Sequence, residues 1–193
     1  MYNTHERHER TRFSLIVQYF QHCPNMPQIL KNVADTKIVD EVLVNDDSHD
    51  CAWDKLGPYP FALNVFLGPD LHEIRAYNTL SSIATGEFIA FAQDDNLPTE
   101  VTWAEKAFQL FDAHPKLALL AGVPDRPGTV QCKWECGLGV TTGFPAGIAN
   151  RSASGCAITG VDSFMFVPRA SLYTFIVRKE LFVAVGGFNE ALS

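Results

Sequence analysis

Near-continuous apolar runs, separated by stretches with helical periodicity, restrict the fold of this chain more than any other feature. FSLIVQYF (Phe13 to Phe20), DEVLVNDDS, YPFALNVFLG, EFIAFAQ and KLALLAG each contain a strand. Between them MPQILKNVAD places Ile29, Leu30 and Val33 on one face, and LHEIRAYNTLSSIAT reads as a helix closed by Gly86. A further helix from Glu100 to Ala113 aligns Trp103, Ala107, Leu110 and Phe111 on one stripe. Strands that are apolar throughout, rather than alternating, belong in a parallel sheet covered by helices on both faces. The chain is therefore read as α/β.

Its 193 residues, 47% of them hydrophobic and 11% aromatic, can bury a substantial core and suit one domain. The polar opening MYNTHERHERTR reads as a flexible N-terminal arm over residues 1–12, neither signal nor anchor, and no apolar run is long enough to span a bilayer. Residues 13–193 then make a single domain in two halves, 13–121 and 122–193. The second half opens with GVPDRPGTVQCKWECGLGVTTGFPAGIANRSASG, whose composition predicts long loops. A formal charge of −7 argues against a nucleic-acid partner. Cysteines 23, 51, 132, 136 and 156 are odd in number and scattered, so reduced thiols and a cytoplasmic location are expected. Cys132 and Cys136 have a spacing that would begin a zinc site, but no second pair follows at finger spacing, and packing or loop thiols are the expectation.

Ligands of open α/β sheets collect outside the carboxyl ends of the strands. VLVNDDS and IAFAQDDN both deliver acids there: Asp46 and Asp47, then Asp94 and Asp95. Adjacent carboxylates raise the cost of ionising each other. Either doublet alone reads equally well as a helix cap or turn acid. Two doublets at one edge favour a divalent cation with oxygen ligands, whose coordination a diphosphate would complete.

The order and spacing of SLIVQYF with its following helix, EVLVNDDSHD, HEIRAYNTLSSIATGEFIAFAQDDN and FIVRKELFVAVGGFNE carry a family resemblance. Over most of residues 13–191 the chain resembles the nucleotide-diphospho-sugar transferases, specifically family 2-like glycosyltransferases of the GT-A fold. The resemblance implies a mainly parallel central sheet flanked by helices, with 13–121 as the nucleotide-sugar-binding half and 122–193 as the acceptor side. It implies Mn²⁺- or Mg²⁺-dependent transfer of a sugar from a nucleoside-diphosphate sugar, UDP-sugar favoured, to a hydroxyl of a carbohydrate or other acceptor.

By the same resemblance Asp46 and Asp47 hold the uracil and ribose side of the nucleotide, and Arg75 is the basic residue of the helix before the DxD-like motif. Asp94 and Asp95 are that motif, with Asp95 on the metal in the catalytic role and Asp94 on the ribose or a metal-bound water. DDSHD lacks the glycine that the family usually has between the first acids and the serine. Relatives commonly place the general base in an acidic motif shortly after GGFNE, and this sequence stops at Ser193. Asp162 is then the in-chain acid to consider as base, against a loop or strand-entry role, and Glu190 the residue to consider at the acceptor, against a turn or capping role. The rest of VGGFNE is expected to be structural, with Phe188 as its anchor, and Asn78 to be an ordinary polar helix residue.

A domain that binds nucleotide sugar without efficient transfer is the alternative. A sugar-nucleotide pyrophosphorylase would show a Gly-rich phosphate loop where this chain has QYFQHCPNMP. A phospho-acceptor receiver domain would be shorter and would carry a lysine after a later strand.

Overall fold

The computed structural model describes residues 13–95, 101–121 and 175–192. Strand β1 (Phe13–Tyr19) is central and pairs in parallel with β2 (Glu41–Asp46) on one side and β4 (Phe88–Gln93) on the other. Strand β3 (Ala62–Leu67) extends the sheet in parallel beyond β2. With β5 (Leu119–Ala121) and β6 (Phe175–Arg178) the order is β3-β2-β1-β4-β6-β5, and β6 runs antiparallel to β4. The expected α/β class and mainly parallel sheet are both present.

Helices cover both faces because alternate residues of the apolar strands point opposite ways. Phe13, Leu15, Val17 and Tyr19 share one buried cluster with Met26, Ile29, Leu30 and Val33 of α1 (Met26–Thr36) and with Ala104, Ala107 and Phe111 of α3 (Trp103–Ala113). On the opposite face Phe91 meets Tyr77 of α2 (His72–Ile83), ring centroids 5.0 Å apart. Each large apolar side chain buried in this way contributes roughly 1.5–3 kcal/mol. Among the described residues no helix is long and apolar enough to cross a membrane.

Chain contacts divide the protein into Met1–Leu120 with Thr174–Ser193 and a second unit, Ala121–Tyr173. The described residues other than Ala121 belong to the first. The C-terminal segment thus returns to the sheet as β6 and α4 (Lys179–Ala184). Gly186 and Gly187, at φ 84° and 75°, then make the turn that brings Phe188 back inward. Its ring lies 5.0 Å from Phe182 and 5.7 Å from both Phe91 and Phe175, and so serves as the expected anchor. Asn78 of α2 clamps the same turn, donating to Phe188 O at 2.9 Å and accepting from Phe188 N at 2.8 Å.

Two local expectations are corrected. Gly86 does not close α2, which stops at Ile83; the glycine lets the chain press against β1, where a Cβ would lie 2.5 Å from Ser14 Oγ. Reduced thiols were expected throughout, but Cys23 and Cys51 form a disulfide. Their loops leave adjacent parallel strands at the same edge, which brings the two Cα atoms to 5.2 Å although the residues are 28 apart in sequence. Cys132, Cys136 and Cys156 lie outside the described residues, and so does the zinc reading of the first two.

Candidate functional site

The carboxyl ends of β2, β1 and β4 lie side by side, so parallel pairing brings both acidic doublets to one edge with the end of β1 between them. Asp47 N donates to Tyr19 O at 3.2 Å, and Asp94 N donates to Gln18 O at 3.1 Å. The two acids of each doublet have different surroundings.

Asp46 is fully buried. Its Oδ1 accepts from the amides of Ser48 (3.0 Å) and His49 (2.6 Å), and its Oδ2 accepts from Trp53 Nε1 at 2.7 Å. This is the turn geometry that Asp favours, and both oxygens are engaged within the chain. Asp47, half-buried, instead holds the start of α2. It accepts from Leu71 N and His72 N, both at 3.1 Å, and from Gln18 Nε2 at 2.8 Å. Burial works to raise its pKa, but hydrogen bonds from Asn45, Leu71, Gln18 and His72 outweigh that and hold the carboxyl below its ordinary value.

Asp47→Ala is accordingly expected to cost roughly 1–2 kcal/mol at neutral pH through the lost hydrogen bonds. A depressed carboxyl stabilises the fold above its unfolded pKa and loses that contribution as pH falls through the folded value. The difference between wild type and variant should therefore narrow below about pH 4. Urea titrations at pH 7 and pH 3 check this, and a gap that stays constant contradicts it.

Asp94 is 5% exposed and likewise engaged. Its Oδ2 accepts from Phe20 N at 2.7 Å, and its Oδ1 lies 3.0 Å from Nδ1 of the exposed His22. Burial pushes its carboxyl up, the Phe20 and His22 contacts oppose that, and the neighbouring Asp95 charge adds to the rise. Asp95 is exposed and makes no hydrogen bond among the described residues.

Three amide side chains lie in register beside the doublets: Asn45, Gln18 and Gln93 on β2, β1 and β4. Asn45 Nδ2 donates to Gln18 Oε1 at 2.9 Å, Gln18 passes the chain to Asp47, and Gln93 donates to Glu73 of α2. Left-handed backbone gathers at the same edge, at Gln21 (φ 61°), His49 (57°), Asp70 (58°) and His72 (57°). Such strained conformations are held by their surroundings and concentrate where chains bind or react.

The remaining expected residues are spread more widely. Arg75 is exposed, one turn into α2, with no ion pair or hydrogen bond among the described residues. Glu190 accepts from Asn78 Nδ2 at 2.9 Å, which ties it to α2 about 9 Å along the helix axis from His72. Asp162 lies outside the described residues. Gln18, His22, Trp53 and Glu73 were not anticipated. Gln18 alone left a signal in the sequence, as a long polar side chain that with Ser14 interrupts a mainly apolar strand.

Two hollows of about 680 and 570 Å³ lie elsewhere, at the amino end of β4. Arg178, which lines both, already donates to Phe111 O at 3.1 Å and stacks over Phe88.

Among the described residues no three His, Cys, Asp or Glu side chains are grouped to hold a metal by themselves. A Mg²⁺-like ion does not need such a group, because it is bound through one or two carboxylates with substrate phosphates and water completing the shell. Asp95 fits that role as an exposed carboxylate that makes no hydrogen bond among the described residues. Asp94 fits it less directly, since both of its oxygens already have partners.

No protein-family model and no curated protein sequence matches the chain. Solved structures do. A mannosyltransferase from Pyrobaculum calidifontis, PcManGT, in complex with GDP-Man and Mn²⁺, is 20% identical over 93% of this chain and 48% of its own, with a TM-score of 0.65. S. aureus TarS 1–349 in complex with UDP-GlcNAc is 16% identical over 90% of this chain and 47% of its own, at 0.58. Glucosyl-3-phosphoglycerate synthase from Mycobacterium tuberculosis, in complex with Mn²⁺, UDP and phosphoglyceric acid, is 11% identical over 90% of this chain and 58% of its own, at 0.55. The chain spans about half the length of these proteins. At such identities the likeness establishes the fold, which is the GT-A fold of nucleotide-diphospho-sugar transferases.

Proposed function

We propose that this chain binds a nucleoside-diphosphate sugar, UDP-sugar first among them, at the carboxyl edge of β1, β2 and β4, and transfers the sugar to an acceptor hydroxyl with the help of Mn²⁺ or Mg²⁺. The observation that carries the reading is the contrast within the second doublet. Asp94 is buried and bonded on both oxygens, whereas Asp95 beside it is exposed and free of hydrogen bonds among the described residues. A structural doublet would engage both acids; here one fixes the strand end and the other is left for a ligand.

In this reading Asp95 carries the ion, which supplies Lewis-acid stabilisation of the departing diphosphate. Asp94 ties the end of β4 to Phe20 and His22, so the backbone that presents Asp95 is fixed before ligand arrives. Asp47 and the amide row set where α2 begins, and Arg75, one turn on, offers a cation to the nucleotide. Asp46 contributes by shaping the turn that follows β2. Solved neighbours carry nucleotide sugars or Mn²⁺, which supports the same assignment. The second reading is a domain that binds nucleotide sugar without efficient transfer.

A thermal-shift panel of UDP-, GDP- and dTDP-sugars, each with Mn²⁺ and with chelator, tests the proposal. A donor present at about a hundred times its dissociation constant stabilises the fold by roughly 2.7 kcal/mol, and that stabilisation should vanish in chelator. Equal shifts in both conditions would remove the metal from the account, and no shift with any donor would remove the nucleotide. Binding without transfer or donor hydrolysis would select the second reading.

A further inference from the structure

We propose that the Cys23–Cys51 disulfide is a dithiol-sensitive switch that sets the geometry of the acidic edge. The inference goes beyond the nucleotide reading and does not depend on it.

The bridge joins the loop leaving β1 to the loop leaving β2, and both loops feed the cluster around the doublets. Beside Cys23, His22 Nδ1 lies 3.0 Å from Asp94 Oδ1, and Asn25 Nδ2 donates to Asp94 O at 3.3 Å. Beside Cys51, Asp50 accepts from the Tyr19 hydroxyl and, at 2.8 Å, from Ser48 Oγ. The Ser48 hydroxyl in turn accepts from Gln21 N at 2.9 Å. Apart from the disulfide, the direct hydrogen bond between the two loops is the one from Gln21 N to Ser48 Oγ, at an exposed position where water can replace it.

The backbone there is not relaxed. Gln21 and His49 sit at φ 61° and 57°, conformations that persist only while the surroundings impose them. The strands themselves do not need the bridge. β1 and β2 are held by six register pairs and by side chains buried in the common core. Loss of the disulfide should loosen the loops and leave the sheet closed.

Both cysteines are half-buried, packed at the margin of the core cluster between exposed neighbours His22 and Pro24 on one side and Asp50 and Ala52 on the other, which leaves part of each residue open to a reductant. One thiolate of a dithiol reductant attacks one sulfur of the bridge, and the displaced cysteine leaves as a thiolate and takes up a proton. The second thiol of the reductant then displaces the other cysteine. Two electrons pass in all: Cys23 and Cys51 end as thiols and the dithiol ends as a disulfide.

Hydrogen exchange on the full chain, oxidised and after dithiothreitol, tests the switch. Reduction should speed exchange roughly tenfold or more in residues 20–25 and 47–52 while the amides of β1 from Phe13 to Tyr19 stay protected. A Cys23→Ser/Cys51→Ser double variant should show the fast pattern in both conditions. Unchanged loops on reduction would overturn the proposal. Acceleration throughout the sheet would also overturn it, by making the bridge a staple without which the fold is lost. A double variant that still responds to dithiothreitol would assign the effect to other cysteines and overturn it as well. UDP affinity in Mn²⁺ measured alongside should fall about fivefold or more on reduction. A chain that binds no UDP in either state would sink the nucleotide reading alone, because exchange judges the switch.

Discussion

Asp95→Asn is expected to leave the melting temperature of the ligand-free chain within about 2 °C of wild type, yet to abolish Mn²⁺-dependent stabilisation by nucleotide sugar. Any transfer or donor-hydrolysis rate should fall roughly 10²–10³-fold. The small effect on folding follows from exposure: Asp95 makes no hydrogen bond among the described residues, so the amide replaces a solvated carboxylate with something of nearly the same shape. Removing its charge also relieves the neighbouring Asp94, whose carboxyl is already raised by burial and by Asp95. The large effect on turnover follows from the chemistry asked of the ion. The departing diphosphate gains negative charge, and an amide holds a divalent cation much less firmly than a carboxylate does. A folded variant with undiminished metal response and turnover would mean that the exposed carboxylate at the end of β4 has another purpose.

Asp46→Asn should behave in the opposite way, with a large effect on folding in the absence of any ligand. The carboxylate is buried and bonded on both oxygens, to two backbone amides on one side and the Trp53 indole on the other. An asparagine can satisfy one side only, because its NH₂ then faces donors on the other. We expect a loss of roughly 2–4 kcal/mol for the buried donors left without partners. Urea unfolding followed by tryptophan fluorescence measures it. A change below about 0.5 kcal/mol, the range of ordinary surface substitutions, would show that the turn after β2 does not depend on this acid.

These two residues also show which parts of the site the sequence could reveal. Period and composition place the strands, because β1, β2 and β4 are apolar on both faces and only a parallel sheet with two helical layers buries them. The destination of both acidic doublets follows from that, since parallel strands end at one edge. The division of labour within each doublet does not. It depends on donors brought in from elsewhere: Trp53 for Asp46, Leu71 and His72 for Asp47, and Phe20 and His22, some seventy residues earlier, for Asp94.

The disulfide was hidden for a similar reason. Cys23 and Cys51 carry no local spacing signal, and only the pairing of β1 with β2 sets their loops side by side. Gly86 misled in a different way. A glycine after a helical pattern is the usual stop signal, but here the helix had already ended and the missing Cβ serves contact with Ser14. Asp162, considered from the sequence as a base, lies outside the described residues.

The carboxyl edge of β1, β2 and β4 is proposed to receive a nucleoside diphosphate together with a divalent ion. Paramagnetic broadening tests it most directly. Mn²⁺ added at substoichiometric levels with UDP should erase the amide signals of Gln93, Asp94, Asp95 and Phe20, while those of Thr85, Gly86 and Lys179 at the opposite edge remain sharp and Asp95→Asn removes the effect. Broadening centred on Glu87, Asp112 and Glu180, or spread evenly over the acidic surface and indifferent to UDP and to Asp95, would contradict the claim.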